Sequence, residues 1–222
     1  MKKLNVSLSL LAFALLGVTG CQTPSSQSTS ATPPPAVQSA TTASASAVPA
    51  PAAIAAPAQP DAAVMQAGPD GVIRVNAGAS APVKDPDGNT WVPDAGFVGG
   101  DVIERPDVEV TNVANSVIFK TEHFGMDSFA CKLANGHYQV KLYFAETYEG
   151  ITEAGDRVFS FNVQGKDFKD FDVYKTAGGP LKAVVITTDA TVTNGVFLIK
   201  FTSNIENPQI NGIEISPSPA SP

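Results

Sequence analysis

The sequence predicts an antiparallel β-sandwich, and three observations carry that prediction. Short runs alternate apolar and polar residues with a period of two. Gly, Asn and Pro turn signals separate the runs. No ten-residue stretch repeats its apolar positions at helical spacing. The clearest run is His137–Phe144, with Tyr138, Val140, Leu142 and Phe144 on one face and His137, Gln139, Lys141 and Tyr143 on the other. Arg157–Val163 repeats the pattern, with Arg157, Phe159, Phe161 and Val163 set against Val158, Ser160 and Asn162.

The strands are expected in the following order. Ile73–Asn76 opens the folded part, and Ser116–Thr121 follows. Ser128–Leu133 runs into Asn135-Gly136, a strong hairpin signal, and then into the strand after His137. A polar loop, Ala145–Asp156, carries Glu146, Tyr148, Glu149, Glu153 and Asp156. Loops of this composition on a rigid sheet are where binding sites sit. Arg157–Val163 leads to Gln164-Gly165, and Phe168–Tyr174 is less regular. Lys182–Thr188 and Val196–Ser203 flank Asn194-Gly195, and Gln209–Ile215 closes. The short apolar first and last strands are expected to be neighbours. The folded part, residues 71–215, is long enough for one domain with one core.

The flanks are of another kind. Lys2 and Lys3 precede an apolar segment, Leu8–Val18, which is shorter than the ~20 residues a bilayer span needs. Val18-Thr19-Gly20-Cys21 resembles the bacterial lipobox. That resemblance implies a lipoprotein signal over residues 1–20, cleavage before Cys21, a lipid on that cysteine and a cell-envelope location. Gln22 rather than Asp follows, which resembles an outer-membrane destination. An ordinary secretory signal, with Cys21 incidental, is the alternative. Cleavage removes two lysines and no acid, moving the formal charge from −7 to −9. Such a chain is a poor partner for nucleic acid or anionic lipid, so membrane attachment rests on the lipid. Residues 21–70 are built largely from Ala, Pro, Ser, Thr and Gln. They are expected to form a disordered tether reaching ~150 Å when extended. Residues 216–222 are expected to be a disordered tail of similar composition.

Seven motifs in the folded part carry a family resemblance. They are Arg74-Val-Asn-Ala-Gly78, Asp94–Gly100, Phe119-Lys-Thr-Glu-His-Phe124, Tyr143-Phe-Ala-Glu-Thr-Tyr148, Arg157–Gly165, the Phe171–Gly179 segment and Asn207–Ile215. In this order they resemble the malectin domain family, carbohydrate-binding β-sandwiches of jelly-roll type related to galactose-binding-like modules. The resemblance implies a non-catalytic module that holds an oligosaccharide or envelope glycan, and it implies no cofactor. A pyranose stacks its apolar face on an aromatic ring, while carboxylates and amides bond its hydroxyls. Carried over by position, the implied sugar-binding residues are Phe97, Phe124, Tyr148, Glu149 and Glu206, supported by Glu146 and Asn207. Phe97 and Phe124 lack a phenol oxygen and Glu149 stands where the family has an aromatic, so a family member's ligand preference does not transfer.

Each of these residues also has a plainer reading. The three rings can pack in the core, and Glu149 and Glu206 can be solvated loop acids. Glu146 fits a structural part, accepting loop N–H groups or pairing with Arg157. Trp91 is either a sugar platform or a core residue. Asp85, Asp87 and Asn89 have a calcium-like spacing, but no acid follows at the offset a calcium loop needs, so a tight Asp-Gly turn is expected and no metal site. Cys131 has no partner within the folded part and is expected to be buried. Two other functions remain open: a structural or protein-interaction module that has lost its sugar site, and a glycan hydrolase.

Overall fold

A computed structural model of the chain describes residues 62–218; the expected signal segment, Cys21 and most of the tether lie outside the described residues. Twelve strands follow in order. They are β1 (Ile73–Asn76), β2 (Val83–Lys84), β3 (Thr90–Trp91), β4 (Phe97–Glu104), β5 (Thr121–Lys132), β6 (Gly136–Ala145), β7 (Val158–Val163), β8 (Lys166–Phe171), β9 (Ala183–Val192), β10 (Val196–Ile205), β11 (Gln209–Ile210) and β12 (Gly212–Pro217). One short helix, α1 (Val173–Ala177), follows β8.

The strands build the expected antiparallel sandwich. One sheet is four-stranded, in the order β1-β12-β6-β9. The other is six-stranded, β11-β5-β10-β7-β8, with β4 added along β5. The first strand and the last are neighbours, Ile73 opposite Ile215. The alternation in β6 and β7 becomes the core. Tyr138, Val140, Leu142 and Phe144 face Phe159, Phe161 and Val163 across the sandwich, all buried. Phe144 lies 5.7 Å from Phe161 between ring centres and 5.0 Å from Phe171. Burying one such ring contributes about 1.5–3 kcal/mol.

Several expectations are corrected. Asn135-Gly136 is not a hairpin turn. β5 and β6 belong to different sheets, and neither residue has the positive φ of a two-residue hairpin turn. Asn135 instead accepts a hydrogen bond from Gly195 N, tying together two sheet-to-sheet crossings at one end of the sandwich. The pair with hairpin geometry is Gln164-Gly165, with φ of 49° and 96°, between β7 and β8. Ser116–Thr121 is not a strand: Val117–Lys120 forms a 3-10 turn. Ile118 and Phe119 are both buried, packed with Trp91 and Val110. β4 falls where no strand was expected.

The domain's edges also shift. Ala63 pairs with β5, donating to Ala130 O and accepting from Lys132 N, so the chain engages the sheet before residue 71. At the other end β12 continues to Pro217, because β6 still offers it partners at Gln139 and Tyr138. Trp91 is a core residue whose indole N–H donates to Asp85, 3.0 Å away. Asp85 also accepts from Asn89 N, so this segment is the tight turn expected. Cys131 is buried in the core.

The end of the sandwich opposite the two Asn-Gly crossings collects the start of β5, the end of β6, the start of β7 and the end of β10. Two buried amides lock it. Asn211 accepts from Ala145 N on β6 and donates to Thr121 O on β5, bridging the two sheets. Gln209 donates to Ala145 O.

Candidate functional site

At this locked end lies a cavity of about 550 Å³. Phe124, Tyr148, Glu149, Glu206 and Asn207 all line it. Four of the five expected sugar-binding residues, from three separate segments, therefore share one concave surface with one supporting residue. Each is placed by a local cause. Phe124 projects from β5 opposite Asp101 of β4. β4 comes this close because Gly100 has φ of 80°, and a Cβ there would collide with the Phe124 carbonyl. Tyr148 is 50% exposed, and its ring lies over Gly150, where a Cβ would stand 2.5 Å from the ring. Glu206 adopts φ of 61° and accepts from Asn207 N and Nδ2, which folds the β10–β11 link over the rim.

The loop holding Tyr148 and Glu149 is stapled. Ile151 is buried and donates its N–H to Tyr148 O. Asp156 accepts from Thr152 N, Thr152 Oγ1 and Glu153 N. Those hydrogen bonds hold its carboxyl below the usual range. Gly155 N donates to Asp172, the residue that also caps α1. Asp156 thus serves the loop rather than the cavity.

Phe97 does not join the cavity. Its ring stacks on His123 at 4.3 Å and packs on Phe129 at 5.0 Å, so the core-packing reading holds there. His123 Nε2 donates to Gly99 O at 3.0 Å, and Nδ1 lies 2.9 Å from Asp94. Burial pulls the imidazolium down, but the bonds to Asp94 and Gly99 and the charges of Asp94 and Asp101 outweigh it, so the pKa lies above its ordinary value. Phe97 and His123 together hold the glycine-rich start of β4.

Beneath the cavity lies a charged floor that sequence reasoning mostly missed. Arg105 Nη1 donates to Glu122 at 3.1 Å and to Thr147 at 3.1 Å, and Thr147 donates to Glu122 at 3.0 Å. Arg157 Nη1 donates to Asn207 O at 2.9 Å, which ties the floor to the rim. Its Nε stands 3.0 Å from Glu146 as an ion contact, with neither atom in hydrogen-bonding alignment. Glu146 is wholly buried and accepts from Tyr148 N, the structural part expected of it. Burial pushes its carboxyl up, against the pull of Arg157 and the Tyr148 N–H. Ile103 and Val108 complete the lining as apolar walls. Glu122 lies inside the Phe119–Phe124 motif and Thr147 inside the Tyr143–Tyr148 motif, which could have marked them. Arg105 carries no such mark: its partners come from β5 and the β6–β7 loop.

A profile of the malectin domain family matches residues 71–213. The chain belongs to the malectin domain family. The malectin domain is a carbohydrate-binding type of fold, and the lined cavity sits at one end of its sandwich. A stretch of 77 residues is 42% identical to a probable LRR receptor-like serine/threonine-protein kinase of Arabidopsis thaliana. That match spans 32% of this chain and 8% of the kinase. Among solved structures, Bacteroides uniformis β-glucuronidase is similar with a TM-score of 0.60 at 20% identity, over 66% of this chain and 18% of that one. The ANXUR1 extracellular domain of Arabidopsis thaliana gives 0.57 at 16% identity, over 68% and 51%. The plant receptor-like kinase FER gives 0.58 at 15% identity, over 70% and 52%. At these identities the solved structures share the fold, and this chain spans about half or less of each.

Proposed function

We propose that this malectin domain is a non-catalytic glycan-binding module, held at a bacterial cell envelope by a lipid on Cys21, with the outer membrane as its destination. One observation supports this reading most: Phe124, Tyr148, Glu149, Glu206 and Asn207, chosen from the sequence, line a single cavity of about 550 Å³. A pyranose stacks on the Tyr148 ring, with Phe124 and Ile103 as apolar walls. Its hydroxyls donate to the rim carboxylates of Glu149 and Glu206. The buried acids are engaged elsewhere: Glu122 holds Arg105 and Thr147, and Glu146 holds Arg157. They support the site and do not attack a glycosidic bond. Fluorescence titration with an oligosaccharide panel tests the reading. Saturable binding that Tyr148→Ala abolishes without changing the melting curve supports it. Sugar release from any member of the panel would restore the hydrolase alternative.

A second reading has its own support. Among the described residues β4 pairs only with β5, and Val98, Val102 and Ile103 are exposed along it. An exposed edge of this kind suits a protein partner that adds a strand. Under that reading the domain binds a protein, and no glycan class gives a titration.

A further inference from the structure

The charges around the cavity decide which glycans it admits. Both guanidiniums at the floor are already matched. Arg105 spends Nη1 on Glu122 and Thr147, and Arg157 faces Glu146 and donates to Asn207 O. No lysine lines the cavity among the described residues. The rim adds Glu149 and Glu206, both exposed and neither in an ion pair among the described residues. Two guanidiniums thus meet four carboxylates, within a chain of net charge −7. Burial pushes the Glu146 carboxyl up, yet even without Glu146 the remaining carboxylates outnumber the guanidiniums. The aromatic rings act in the same direction, since the faces of Tyr148 and Phe124 carry negative π-density that attracts cations.

We propose that the cavity prefers amine-bearing sugars of the glucosamine type, carrying a free ammonium, and rejects uronates; this rests on the glycan-binding reading above. The sugar's apolar face lies on Tyr148, and its ammonium sits between that ring and the Glu149 and Glu206 carboxylates. A uronate brings a third carboxylate to a rim that already holds Glu149 and Glu206 and no lysine. To pair with Arg105 or Arg157 it must compete with Glu122 and Glu146, whose charges already face these guanidiniums, and weakening a buried ion pair is disfavoured. The fold likeness to a β-glucuronidase therefore does not extend to a uronate preference in this cavity.

The test is calorimetric titration of the full chain with three probes: a glucosamine trimer, its N-acetylated counterpart and a galacturonate trimer. The pH is mildly acidic, where amines carry protons. The glucosamine trimer is expected to bind about tenfold more tightly than the acetylated one, an advantage that shrinks as salt rises. The galacturonate trimer is expected not to bind. The double variant Glu149→Gln, Glu206→Gln, checked for an unchanged melting curve, should bring the ratio of the two affinities toward one. Equal binding of the glucosamine and acetylated trimers by the unaltered chain overturns the selectivity and leaves the glycan reading standing. Binding of the galacturonate trimer as tight as either does the same. If no trimer binds, the glycan reading falls and the selectivity falls with it.

Discussion

Gly150 offers a clean way to move the proposed platform without removing it. In Gly150→Ala the new Cβ would lie 2.5 Å from Tyr148 Cε1, 2.6 Å from Cζ and 2.9 Å from the phenol oxygen. Carbon atoms in good contact stand about 3.5–4.0 Å apart, so the ring must swing by about 1 Å or more. Gly150 lies outside the left-handed region of backbone space, so alanine brings no φ strain there. Losing a glycine instead stiffens the unfolded chain, worth about 0.4–1 kcal/mol in favour of the fold. Tyr148 is half exposed and can move with little loss of packing. Stability should therefore change by less than about 1 kcal/mol in either direction. Binding should suffer, because stacking contributes about 0.5–1.5 kcal/mol only when the ring is flat against the sugar. The expected loss is about 2- to 10-fold in affinity. Parallel melting curves and glycan titrations of the variant and the unaltered chain give both numbers, and the tyrosine NMR resonances report the ring. A displaced ring with unchanged affinity would refute the platform assignment.

Other expectations follow from the same geometry. Glu146→Gln leaves the Arg157 guanidinium buried without its counter-charge and should cost about 3–5 kcal/mol in a denaturant titration. Asn211→Ala strips partners from Ala145 N and Thr121 O and should cost about 2–4 kcal/mol by the same measurement. His123 has a folded-state pKa above its ordinary 6.5. Its bond to Asp94 therefore adds stability that is complete below pH 6.5 and is lost as pH rises through the folded value. The difference in melting temperature between the unaltered chain and His123→Gln should shrink across that window, and a difference independent of pH would contradict the assignment. Burial pushes the Cys131 thiol up to about 12. In a Cys21→Ser chain it should resist thiol reagents until denaturant is added.

The parts of the fold legible in the sequence are those where one physical cause dominates. Tyr138, Val140, Leu142 and Phe144 alternate because β6 has one buried face, and period two records that directly. The pairing of β1 with β12 was likewise readable from two short apolar strands at the domain's ends. Asn135-Gly136 misled because the dipeptide reports a turn but not whether its flanking strands share a sheet, and here they do not. Val117–Lys120 misled because a short apolar run fits a strand and a 3-10 turn equally well. Tertiary packing decides between them, burying both Ile118 and Phe119 beside Trp91 and Val110. In the site, Tyr148 was legible as an aromatic in a polar loop. Phe97 was not, because its partner His123 is reached only through the pairing of β4 with β5. Arg105 was invisible for the same reason: its meaning comes from Glu122 and Thr147, which only the fold brings to it.

The proposed sugar site is the cavity between the β6–β7 loop, the start of β5 and the β10–β11 link. Amide chemical-shift mapping of the full chain during titration with a glucosamine trimer tests it most directly. Saturable shifts are expected on Phe124, Tyr148, Glu149, Glu206 and Asn207, with the Phe97 region unmoved. Saturable shifts on the outer face of β7, β8 and β10 instead, with the cavity silent, would contradict it.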